Sequence, residues 1–139
     1  MNITLSNLKM FLVSSLAFAS LSVAAQSINV SLSGSQEVPA VTTSASGSGT
    51  ITIAPDLSVS GSVTTLGVDG TMAHIHMAAT GQNGPVIVPM TKTTDQVWSI
   101  PTGAKLTDAQ YQSFKAGNLY VNVHSAANKG GEIRGQLKP

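Results

Sequence analysis

From Ile28 onward the chain alternates apolar and polar residues with a period of two, and that pattern constrains its fold more than any other feature. Ile28, Val30 and Leu32 alternate with Asn29 and Ser31, and Leu57, Val59 and Val63 alternate with Ser58, Ser60 and Ser62. A period of two with β-branched residues describes strands with one face on a core and the other facing water. Thr50 to Ile53 and Leu57 to Thr65 flank Ala54-Pro55-Asp56, a hairpin connection. Further strands are predicted over Met72 to Ala78, Val86 to Met90, Gln96 to Ile100, Leu119 to Ser125 and Glu132 to Lys138. Gly81-Gln82-Asn83-Gly84-Pro85 and Asn128-Lys129-Gly130-Gly131 supply turns between them, and Ser44 to Thr50 reads as a flexible lead-in to a strand. One segment breaks the alternation. Thr107 and Gln110 fit a capping box and Gly117 a left-handed stop, so Asp108 to Ala116 is predicted to be a short helix. Many short strands with one helix imply an all-β Greek-key sandwich or barrel.

The first residues stand apart from this pattern. Lys9 is the only charge before Glu37, Met10 to Val23 form an apolar run, and Val23-Ala24-Ala25 offers small residues for cleavage. This is the form of a signal peptide over residues 1–25, followed by one domain over 26–139. The apolar run is shorter than the roughly 20 residues of a bilayer span, so no membrane span is expected in the mature protein. Export implies a periplasmic or secreted location. Without Lys9 the chain holds six basic and six acidic residues, and such neutrality gives neither nucleic acid nor an anionic membrane a basic surface to bind. Cysteine is absent, which excludes a disulfide framework, a thiolate nucleophile or metal ligand, and a lipid-modified cysteine.

Chemistry concentrates in three histidines. His74 and His76 lie two apart in AHIHM, and His124 follows in LYVNVHS. Strand periodicity puts Met72, His74 and His76 on one face and Ala73, Ile75 and Met77 on the other. In the downstream strand Tyr120, Asn122 and His124 share a face opposite Leu119, Val121 and Val123. All three imidazoles therefore point away from the core. Neutral imidazole suits copper, zinc and nickel, and three such ligands leave a coordination position open. Periodicity does not make the two strands neighbours, and without adjacency there is no site. Met72 shares the histidine face, and its thioether would favour Cu(I). Met77 and Met90 read as packing residues.

The run HIH, GxNGPVxVP, LTxxQ and AGxLYVNVHSAxNxGGEIRGQL resembles the CHRD domain family, named after chordin, from about Ser27 to Leu137. Bacterial members are commonly small exported proteins. The family in turn resembles in fold the copper–zinc superoxide dismutases, which are Greek-key barrels. That resemblance implies copper ligation by His74 and His76 as the pair and by His124 as the later ligand, with the two strands adjacent. The chain departs from the dismutases in having no fourth histidine to bridge to a zinc site, and no disulfide.

The leading expectation is an exported, non-enzymatic protein that binds one copper ion, with zinc as the alternative, for metal sequestration or handling. The second is a metal-free extracellular module whose histidine face or GQNGP loop contacts a protein partner, and the third is a divergent superoxide dismutase. Arg134 is expected to form an ion pair with Glu132 or across strands, and Trp98 and Phe114 are expected to close the core.

Overall fold

The computed structural model describes residues 23–139; the predicted leader, apart from its last three residues, lies outside them. The alternating segments form nine strands: β1 (Gln26–Ser33), β2 (Ser46–Ile53), β3 (Val59–Leu66), β4 (Gly70–Met77), β5 (Val86–Pro89), β6 (Thr91–Lys92), β7 (Val97–Ser99), β8 (Leu119–Ser125) and β9 (Ile133–Leu137). They make one antiparallel sheet in the order β5-β4-β8-β9-β1-β2-β3-β7-β6. The two ends of that order are consecutive in the chain. Met90, between β5 and β6, donates its N–H to the Ala73 carbonyl at 2.9 Å, and Lys92 Nζ reaches the Gly70 carbonyl at 3.1 Å. The sheet thus closes almost completely on itself, so of the two expected architectures the barrel is the one observed.

The inward phase is the predicted one. Ile28, Val30, Leu32, Val63, Ala73, Ile75, Leu119, Val121 and Val123 are buried, as are Trp98 and Phe114. Met90 belongs to the same core, and Met77 packs against it. Helix α1 (Asp108–Lys115) has the predicted capping box, with the Thr107 side chain accepting from the Gln110 amide and the Gln110 side chain accepting from the Thr107 amide. Gly117, at φ 76°, ends it in the left-handed conformation.

Two expectations need correction. Ser44 to Thr50 is not a flexible lead-in, because Ser46–Gly49 already belong to β2 and pair with β1 and β3. Its glycines allow close approach: a Cβ on Gly49 would meet the Ser62 carbonyl at 2.0 Å. The outer face of the sheet is not uniformly wet either. Every residue of β8 is buried, including Tyr120, Asn122 and His124. Chain segments near Glu37, Gly84 and Lys129 cover this part of the barrel and hydrogen-bond to its side chains or lie against them. The result is a polar layer between barrel wall and solvent.

Candidate metal centre

β4 and β8 are paired neighbours, with Met72 opposite His124, His74 opposite Asn122 and His76 opposite Tyr120. The adjacency that periodicity could not supply is therefore present. One ring nitrogen from each of His74, His76 and His124 lies within 4.8 Å of the others. His76 and His124 are buried and His74 is half-buried, so the group sits just beneath the surface and opens on the His74 side.

Hydrogen bonding fixes the imidazole tautomers. His76 Nδ1 lies 2.9 Å from the Gly84 carbonyl, and His124 Nδ1 lies 2.8 Å from the Lys129 carbonyl. A carbonyl only accepts, so each Nδ1 carries the proton and each Nε2 presents a lone pair. His124 Nε2 accepts from His74 Nδ1 at 3.1 Å, while His76 Nε2 is buried with the Asn122 side chain near it, whose Oδ1 is likewise buried and can only accept. Leaving a buried acceptor unpaired costs about 1–3 kcal/mol, and a cation would relieve it. Nitrogens this close together could hold one ion. Burial is the main cause holding His74 and His76 below the ordinary imidazole pKa, assisted at His74 by the neighbouring His124. Neutral rings, which a metal requires, are the favoured form.

An outer shell locks His76 in place. Its ring stacks on Tyr120 with centroids 4.8 Å apart and planes 2° from parallel. Tyr120 Oη accepts from the Gly84 amide at 3.2 Å, so one residue ties down both rings. Gly84 must be glycine, since a Cβ there would meet the Met77 carbonyl at 1.9 Å. Arg134 completes the arrangement. It donates to the Gln82 carbonyl at 2.7 Å and to Asn83 Oδ1 at 3.2 Å, and its Cζ lies 3.4 Å from the Tyr120 ring centre.

The expected Arg134–Glu132 ion pair does not form. Arg134 is only 1% exposed and spends its donors on the loop that carries Gly84, whereas Glu132 accepts from the Thr43 hydroxyl at 2.8 Å. Among the described residues the one ion pair is Lys92–Asp69, at 3.9 Å. Met72 lies across from His124 in register but is 50% exposed, at the mouth of the site and not in its centre. Periodicity missed Glu37, which is buried beside Gly131 and Asn122. Burial raises its carboxyl to about 7, against the opposing pull of Arg134. No strand phase marks a loop residue of this kind.

The family model for the CHRD domain matches residues 28–137. The chain belongs to the CHRD domain family. That match takes in most of β1, all of the other strands and the helix, and all three histidines of the CHRD domain. No curated protein and no solved structure matches the chain. The exposed motif GQNGP of this CHRD domain is tied to the barrel at several points. Gln82 and Asn83 receive Arg134, Asn83 Nδ2 donates to the Val38 carbonyl at 2.8 Å, Gly84 orients His76, and the Pro85 carbonyl accepts from Met77.

Proposed function

We propose that this CHRD protein binds a single copper ion through His74 Nδ1, His76 Nε2 and His124 Nε2, and that it sequesters or handles the metal outside the cytoplasm. The observation that carries the reading is the buried Nε2 of His76, which no donor satisfies, set beside the Nε2 of His124, whose tautomer also suits ligation, and the Nδ1 of His74. For His74 ligation through Nδ1 would need the other tautomer, with the proton now directed at His124 carried on His74 Nε2 instead. The rigid outer shell is what metal sites use to orient their imidazoles. Zinc is the competing ion, since three histidines with an open position suit it as well. The role is binding without turnover: with three histidines in the whole chain, nothing remains to bridge to a second metal or to build a zinc site. Export is supported by the leader pattern of Lys9, the Met10–Val23 run and the small residues to Ala25.

Competition titration of the purified protein with copper, and with zinc as comparator, tests the proposal. One equivalent of copper bound, lost on replacing any one of the three histidines with alanine, is the expected result. Equal binding by His124→Ala and the parent would overturn it.

A further inference from the structure

The charges around the three histidines bear on which oxidation state of copper they hold. The donor group contains no carboxylate, so the ligand set is neutral. Arg134 places a buried, permanent positive charge on the far side of Tyr120, in a stack that crosses three adjacent strands: His76 on β4, Tyr120 on β8 and Arg134 on β9. No carboxylate lies within ion-pair distance of Arg134 among the described residues. Glu37 is the nearest buried acid and carries less than a full charge at neutral pH, because burial raises its carboxyl to about 7. Glu132 is held by Thr43 and lies toward Ser125, whose phase on β8 is opposite that of His124. A divalent ion would bring two positive charges into a region with little to balance them, and a monovalent ion only one. Met72 adds a soft donor at the open edge, across from His124.

We infer that the site discriminates by charge, taking Cu(I) in preference to Cu(II) and Zn(II), and that Arg134 is the positioning residue that sets this preference. The inference rests on the three-histidine reading and specifies its cargo as a soft monovalent cation. Arg134 acts on the ion through space and through the Tyr120–His76 stack, not as a ligand. A unit charge about 10–12 Å away, at an effective dielectric constant of roughly 20, is worth roughly a tenfold change in relative affinity.

The test measures Cu(I) and Cu(II) affinities separately, each against a chelator specific for that state, on the parent, Arg134→Lys, Arg134→Met and Glu37→Gln. The parent should favour Cu(I). Arg134→Met, which removes the charge, should narrow the Cu(I)/Cu(II) ratio by about tenfold, equivalent to a fall of ~59 mV in reduction potential for one electron. Arg134→Lys loses the fork that clamps Gln82 and Asn83 but keeps the charge, so its ratio should stay within about threefold of the parent's. A merely structural arginine would affect both variants alike. Glu37→Gln removes the partial countercharge and should widen the ratio, which keeps the inference testable if Arg134→Met does not fold. A parent that prefers Cu(II), a ratio unchanged in Arg134→Met, or one that does not widen in Glu37→Gln would overturn the inference while leaving copper binding intact. A parent that binds no copper in either state would overturn the metal reading itself.

Discussion

Gly84 shows how much a single residue can carry. Its amide and carbonyl hold Tyr120 and His76 respectively, and its missing side chain is what lets it reach them. Gly84→Ala should force the loop off the Met77 carbonyl, with a stability loss of about 1–3 kcal/mol from overpacking. Metal affinity should fall with it, because the His76 acceptor moves. Chemical denaturation together with copper titration of the variant checks both. Glu37 makes a different prediction. Its raised carboxyl means that the folded state holds a proton the unfolded chain releases near 4.5. The stabilising difference is complete below that value and is lost as pH rises through about 7. The stability of Glu37→Gln relative to the parent should therefore increase between roughly pH 4.5 and 7 and level off above. A flat difference across this range in denaturant titrations would refute the buried-acid assignment. His74, His76 and His124 were legible in the sequence as a shared outward phase. The roles of Glu37 and Gly84 were not, since they depend on loops that meet only once the barrel has formed.

Among the elements, α1 and β8 mark the two ends of legibility. The helix could be read in advance because its start and stop are local: a Thr107 hydroxyl, a Gln110 amide and a left-handed Gly117. Thr107→Ala should cost about 1 kcal/mol through the lost cap, with copper binding unchanged, as thermal melts and titration would show. For β8 the inward phase of Leu119, Val121 and Val123 was equally clear, but alternation implied water on the other side. The structure puts a polar layer there instead. The loop that follows β8 supplies the Gly130 and Lys129 carbonyls to Asn122 and His124, and the distant Gly84 amide donates to the Tyr120 hydroxyl. In β2 the misreading had the opposite cause. Ser-Gly repeats mimic a linker by composition, yet here the glycines are required by the closeness of β3.

Across the whole molecule the barrel and the site depend on each other. Pairing of β4 with β8 joins histidines separated by about fifty residues, and the β5–β6 segment that closes the ring also braces β4 from its other side. Apolar side chains fill the barrel, so the imidazoles lie on its outer wall, His76 and His124 held by backbone carbonyls and the group open to an incoming ion at the His74 edge. Since burial depresses the pKa values of His74 and His76, protons compete with the metal less well than they do for a free imidazole near 6.5. Copper affinity should accordingly persist somewhat below pH 6.5 before falling, and pH-dependent competition titrations would reveal a midpoint on the acid side of that value. The central claim is that the three imidazoles act as one site, and it is tested most directly by copper competition at neutral pH on the parent and His124→Ala. One equivalent in the parent and a loss of affinity of about 100-fold or more in the variant are expected, since even changes to residues behind the ligands typically cost 10–100-fold. Affinity in His124→Ala equal to that of the parent would contradict it.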